Sequence, residues 1–234
     1  MKRPSVAVLD NPFWHALTTD QASFAVVNGG VRSFSGEVAP FCAVERDGQA
    51  IDPQHLADAM WDGAMRYFVG ALPVLPPGCL PPAPITLLQM ACVQVAGVSR
   101  AGTAIRDLGV EDVDAMLALT RLAFPGFFRR RTVEMGRYIG IVESGGLVAM
   151  GGERLAMPGY RELTAICTHP AHTGKGYARM IVRRLTSRIL AEDRVPFLHV
   201  RDTNTSARRL YESLGFEVVN AVRLLTVPPM HAEP

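Results

Sequence analysis

Apolar positions along this chain keep two different periods, and the sharpest change between them falls at residues 168–178. Before it, residues 161–168 alternate as an extended strand does. That predicts Glu162, Thr164, Ile166 and Thr168 on one face, and Leu163, Ala165 and Cys167 on the other. After it, Ala178, Ile181, Val182, Leu185 and Ile189 recur at helical spacing. Residues 175–192 therefore predict an amphipathic helix, with Arg179, Arg183, Arg184 and Arg188 largely off its apolar stripe. Downstream, 196–200 predicts a strand, 205–214 a helix striped by Ala207, Leu210, Tyr211 and Leu214, and 217–227 a closing strand. Gly215 suits a left-handed helix end, with Phe216 folding back on the last turn. Upstream, 103–106 predicts a strand and 110–123 a helix with Val113, Met116, Leu117 and Thr120 on one stripe. Residues 138–143 and 147–155 form a hairpin around Ser144, Gly145 and Gly146.

The first hundred residues have a different rhythm. Strands at 23–27 and 31–35 flank Asn28, Gly29 and Gly30, a hairpin signal because these residues tolerate positive φ. Asp52 as N-cap and Pro53 at the first helical position predict a helix over 53–60, followed by strands at 66–69 and 86–95. Residues 72–84 carry too many prolines for a helix or central strand and read as an extended connector. The expectation is two domains: a smaller α/β unit over 1–95, and a larger one over 102–227. No internal repeat is evident, although two α/β halves invite the reading of the first as a degenerate copy of the second.

Composition narrows the partners. A formal net charge of +2 in 234 residues, with mixed signs, gives no electrostatic footprint for nucleic acid. The runs at Arg129, Arg130 and Arg131 and at Arg183 and Arg184 read as solvated faces. Cys42, Cys79, Cys92 and Cys167 form no Cys-x-x-Cys pair and meet no histidine at metal-ligand spacing, so neither a metal nor a disulfide framework is expected. The basic N-terminus is interrupted by Asp10, Asn11 and Pro12, and no apolar run approaches bilayer length. A cytoplasmic protein without a membrane partner is expected.

The turn at 173–178 has the chemistry of a phosphate cradle. A helix start leaves its first N–H groups unpaired at the positive end of the helix dipole, and Gly174 and Gly176 let a pyrophosphate approach them. A Walker loop fails on spacing, because Lys175 lies between the two glycines with Tyr177 and Ala178 following. A dinucleotide fingerprint fails because Arg179 stands where its third glycine belongs.

A second segment follows the strand at 196–200: Asn204, Thr205, Ser206, Ala207, then Leu210, Tyr211, Leu214, Gly215 and Phe216. Together, the two segments resemble the GNAT superfamily of acyl-CoA-dependent N-acyltransferases over about residues 103–227. The run Cys167, Thr168, His169, Pro170 and the extra N-terminal half resemble its FR47-like branch. Gly176 and Ala178 occupy the glycine positions of that family's Gln/Arg-x-x-Gly-x-Gly/Ala pattern, while Thr173 departs from it at the Gln/Arg position.

The resemblance implies an α/β (α+β) fold, with a mixed, mostly antiparallel sheet flanked by helices, and acetyl-CoA as acyl donor. The pantetheine arm would lie along strand 161–168 with backbone contacts at Ile166 and Thr168. The pyrophosphate would meet the amides of Thr173, Gly174, Lys175, Gly176, Tyr177 and Ala178, and Ala207 and Asn204, the latter read from its own position only as the N-cap of the 205–214 helix, would touch the cofactor. The acceptor would be a small-molecule or peptide amine; a homodimer is left open.

Amide formation needs a deprotonated amine, and an amine of pKa about 10.4 is almost wholly protonated at neutral pH. The resemblance carries a base over to Glu162, eleven residues before Thr173; spaced roughly 13 Å from Ile166, it would work through water. A solvated strand-end glutamate is the competing reading, and Glu153 the reserve base. Tyr211, seven residues after Asn204, takes the acid role toward the leaving thiolate, against the alternative of a core tyrosine. Cys167 reads as core, which favours direct attack of the amine over an acyl-cysteine route. His169 and His172 read as loop histidines, and Tyr177 as packing. Acceptor specificity falls to 124–135 and the N-terminal half, where Phe124, Phe127 and Phe128 read as core packing ahead of an apolar wall. The rival functions are a non-catalytic acyl-CoA sensor, which Thr173 makes plausible, and an interaction module.

Overall fold

A computed structural model describes residues 4–60, 63–95, 104–123 and 126–229. Its strands are β1 (Val26–Asn28), β2 (Val31–Ser33), β3 (Phe41–Val44), β4 (Arg66–Val69), β5 (Ile85–Ala91), β6 (Ile105–Leu108), β7 (Tyr138–Glu143), β8 (Gly146–Met157), β9 (Tyr160–Thr168), β10 (Val195–Arg201) and β11 (Glu217–Val227). They form one sheet in the order β1-β2-β3-β4-β11-β5-β10-β9-β8-β7-β6. Only β3 with β4 and β9 with β10 run parallel, so the sheet is mixed and mostly antiparallel, as the resemblance implied. The helices are α1 (Pro12–Thr18), α2 (Pro53–Ala59), α3 (Val113–Ala123), α4 (Tyr177–Leu190) and α5 (Thr205–Glu212).

Side-chain period decides which helix covers which face. On β7, Ile139 and Ile141 join the core cluster of α4, while Tyr138, one residue away, joins that of α3. The α4 stripe reads as expected: Ile181, Val182, Leu185 and Ile189 are fully buried, each contributing about 1.5–3 kcal/mol of apolar transfer. Asp52 caps α2 by accepting from the Gln54 amide at 2.8 Å. Two elements escaped the pattern. In α1 the buried Phe13, Ala16 and Leu17 span only two turns, and β3 is buried at every position, so it shows no alternation. The predicted strand at 23–27 is a 3-10 turn at Ala22–Phe24, and β1 starts only at Val26.

The boundary drawn between residues 95 and 102 cuts through this sheet. β5, on its N-terminal side, is hydrogen-bonded between β10 and β11, and β4 takes the other edge of β11. One core cluster accordingly unites Phe13, Phe34 and Phe41 with Leu155, Tyr160 and Phe197.

Two bulges break the alternation of β8 and β9. Between Met150 and Gly152 the pairing advances from Cys167 to Thr164, so β9 carries one extra residue there; between Glu153 and Ala156, β8 carries the extra one. The β9 bulge includes Ala165, whose φ is +51°, a left-handed conformation that costs a non-glycine residue about 1–2 kcal/mol. It corrects the predicted faces: Ile166 packs with Leu163 on the α4 side, whereas Ala165 and Cys167 pack with α3. At the β8 bulge, the buried Gln21 side chain donates to the Arg154 carbonyl at 2.7 Å and accepts from the Ala156 amide at 3.2 Å. Replacing Gln21 with leucine is expected to cost about 1–3 kcal/mol in urea denaturation, because both backbone groups stay buried without partners.

Candidate active site

The site begins where two parallel strands part. β9 and β10 pair over only three positions, Val195 with Tyr160, Pro196 with Arg161 and Phe197 with Glu162. From Phe197 to Arg201, β10 is paired on its other side with β5. Beyond Glu162, the β9 edge is therefore open to a cleft, which leads into a cavity of about 650 Å³. Glu162, Ile166, Asn204, Ala207 and Tyr211 all line this cavity, so five of the residues picked from sequence converge. Thr168 and the turn at 173–178 lie outside its lining, at the far end of β9.

Glu162 is the last paired residue before the fork, and it is 1% exposed. The reading of it as a solvated strand-end glutamate is thus wrong: the strand starts two residues earlier, and the sheet buries the carboxylate. Arg154 holds it with two charge-assisted bonds, Nε to Oε2 at 2.8 Å and Nη2 to Oε1 at 2.6 Å, and His199 Nδ1 lies 2.7 Å from Oε1. Burial alone would raise the Glu162 pKa. The Arg154 charge, aided by the His199 hydrogen bond, overcomes that and holds the carboxyl at about 2. Gln89, 0% exposed, donates through Nε2 to the Leu9 carbonyl at 2.9 Å and faces His199 Nε2 at 3.0 Å. Gln89 and Glu162 thus engage the two ring nitrogens of His199 and fix the orientation of its ring.

Arg154 and His199 did not figure among the residues picked from sequence. The available signal was ionisable side chains inside apolar runs, Arg154 among Leu155, Ala156 and Met157, and His199 between Leu198 and Val200. Glu153, the reserve base, lies within β8 and outside the cavity lining, 1% exposed and bridged to Arg137 and Arg161.

On the opposite wall, the N-cap Asn204 accepts from the Ala207 amide through Oδ1 at 3.1 Å and sets the start of α5. That places Ala207 and Tyr211 one turn apart along the cavity. Tyr211 is 8% exposed and packs on Phe216, whose ring folds back across the helix end as expected, with Gly215 at φ +92°. Burial pushes the Tyr211 phenol up to about 12, so it remains a proton donor throughout the neutral range. Burial likewise pushes the Cys167 thiol to about 12, in the cluster behind β9, as a core cysteine requires.

At the end of β9, Gly174 and Gly176 have φ of +79° and +81°, and a Cβ built on either meets no atom within 4 Å. The space over the turn is open. Among the described residues, the amides of Gly174, Lys175, Gly176, Tyr177 and Ala178 have no acceptor in the chain. Gly176 caps α4 without a side-chain bond, so these donors stand at the positive helix end. Glu143 organises the turn from beneath: it accepts from the Tyr177 hydroxyl and, at 2.9 Å, from Lys175, and lies 2.8 Å from His172 Nδ1. The Tyr177 hydrogen bond, then Lys175, hold its carboxyl at about 2. His172 therefore has a carboxylate partner across 29 residues, which no local spacing could reveal. Lys175 brings a charge already matched by Glu143, so the unclaimed donors of the turn are its backbone amides.

The mixed, mostly antiparallel sheet flanked by helices is the fold of GNAT structures. The family model described as FR47-like protein matches residues 138–224. A GNAT-family chain from Novosphingobium aromaticivorans is 32% identical, with 95% of this chain and 98% of that one covered at a TM-score of 0.83. The protein belongs to the GNAT superfamily and is FR47-like, and its fold supports acyl transfer. A GCN5-related N-acetyltransferase from Kribbella flavida (15% identity, 99% and 98% covered, TM-score 0.59) and a GCN5-related N-acetyltransferase-like protein from Streptococcus suis (13%, 95% and 96%, 0.58) share the fold. No match was found among curated proteins. Among the described residues there is no metal-ligating cluster, and no helix is long and apolar enough to cross a membrane.

Proposed function

We propose that the protein transfers an acetyl or short acyl group from acyl-CoA to a primary amine by direct attack on the thioester. The observation that carries this reading is the set of unclaimed amides at Gly174–Ala178, joined by the open β9 edge to a cavity holding Tyr211. The turn amides would hold the pyrophosphate, and Ile166 and Thr168 the pantetheine arm. Asn204 and Ala207 would close the other side.

The chemistry follows from the side chains. The amine nitrogen bonds to the acyl carbon, the carbon–sulfur bond breaks, and the leaving thiolate takes the Tyr211 proton. Glu162 is the proposed base, but a carboxylate at about 2 cannot retain a proton from an ammonium near 10. It acts as the anionic end of a water path that draws the proton away, and Tyr211 is reprotonated from the same water.

Thiol release with acetyl-CoA and a panel of amines tests the reading. Tyr211→Phe is expected to lower kcat/KM about 10²–10⁴-fold while leaving acetyl-CoA affinity within about twofold. Unchanged turnover removes Tyr211 from the reaction. Acetyl-CoA binding without thiol release for any amine makes the protein a sensor.

A further inference from the structure

The half of the cavity farthest from the turn is built by residues with no part in donor binding. Phe41 of β3 stacks on Phe13 of α1 at 4.3 Å between ring centroids and lies 5.8 Å from Phe127, nearly parallel at 14°. Tyr67 of β4 closes on Phe127 at 4.8 Å. These rings face the cavity, whereas Phe128 turns into the core against Tyr138, and Phe124 lies outside the described residues. The acceptor end is thus a chamber of flat apolar surface, of the kind that binds small ligands by burial.

Its charges are few. Arg154, Arg201 and Glu162 line it together with His199, so two guanidinium groups face a single carboxylate. The Arg154 side chain is 10% exposed, lies over the Phe41 ring at 4.4 Å, and spends Nε and Nη2 on Glu162. Its Nη1 has no acceptor among the described residues. The side chain that carries this nitrogen is nine-tenths buried yet lines the cavity, so an anionic group entering the chamber would find an unused guanidinium donor there. A polyamine or a basic peptide would bring further positive charge to this wall. An amine that also bears a carboxylate would complete it.

Resting on the acyltransferase reading above, we infer that the acyl acceptor is a free amino acid with a bulky apolar side chain. Its side chain lies against Phe41, Phe127 and Tyr67, its carboxylate accepts from Arg154 Nη1, and its amine is acylated. The products are an N-acyl amino acid and the free CoA thiol; the amine gives up a proton to water and the thiolate gains one.

The test compares kcat/KM by thiol release for phenylalanine, leucine, phenethylamine, spermidine and a short lysine peptide. Phenylalanine is expected to exceed phenethylamine, the same body without the carboxylate, by at least about tenfold. Arg154→Lys, which cannot serve Glu162 and a ligand together, is expected to bring that ratio toward one. Phe127→Ala, at a half-buried position, is expected to raise the phenylalanine KM with acetyl-CoA affinity unchanged. Phenethylamine equal to phenylalanine, or spermidine or the peptide as the better substrate, overturns the inference. Calorimetry with acetyl-CoA separates the two levels. Retained binding with inert amino acids overturns the acceptor alone, whereas lost binding overturns the acyltransferase reading and the acceptor with it.

Discussion

Replacing Arg154 with methionine is expected to destabilise the fold by about 3–5 kcal/mol at neutral pH, measured by urea denaturation, because it leaves Glu162 as a buried charge without its main partner. The pH dependence gives the cause away. In the native protein, the Glu162 carboxyl sits at about 2 against an ordinary 4.5, a depression contributing about 3 kcal/mol. A depressed folded pKa makes that contribution fully present above 4.5 and progressively lost as pH falls from 4.5 through 2. In the variant, burial is opposed only by His199, so the carboxyl moves up and protonates readily. The gap between variant and native protein is therefore widest near neutrality and narrows below pH 4.5. A constant gap across that range would assign the loss to packing on Phe13 and Phe41 instead. Pairing Arg154→Met with Glu162→Leu is expected to recover much of the stability, since the stranded charge is removed with its partner.

Replacing Gly176 with valine is expected to weaken acetyl-CoA binding by about 100-fold or more, read by calorimetry, with a much smaller effect on unfolding. At φ +81° a β-branched residue is strained, and relaxing that strain turns the following amides away from their common focus. The added carbons would meet no protein atom, because the space above the turn is open. They would instead occupy the room a phosphate needs. A loss of about two decades corresponds to about 2.7 kcal/mol of binding energy. Undiminished affinity would show that the donor is held elsewhere and would remove the α4 entrance from the site.

Much of the fold was legible because it rests on local rules. The α4 stripe, the Asp52 and Asn204 caps, the Gly215 helix end and the hairpin around Gly145 each follow from residues within a turn or two of one another. So does the glycine turn, whose backbone geometry is written in Gly174 and Gly176. What failed did so where a distant segment intervened. Strict alternation placed Ile166 with Glu162, but the bulge at Ala165 shifts it, and no residue type announces a bulge at an alanine. The competing reading of Glu162 as solvated failed because its partners Arg154 and His199 lie on two neighbouring strands.

By itself, the sequence determined most of the elements, their caps, the glycine turn and, through two spaced motifs, the family, since these depend on propensity and hydrogen bonding among near neighbours. Only the tertiary structure decided that β5 lies between β10 and β11, that the cleft opens where β10 leaves β9, and that Phe13, Phe41 and Tyr67 wall it. Strand order and chamber shape come from burying apolar faces contributed by positions more than a hundred residues apart, and hydrophobic burial carries no record in sequence of which partner each face will meet.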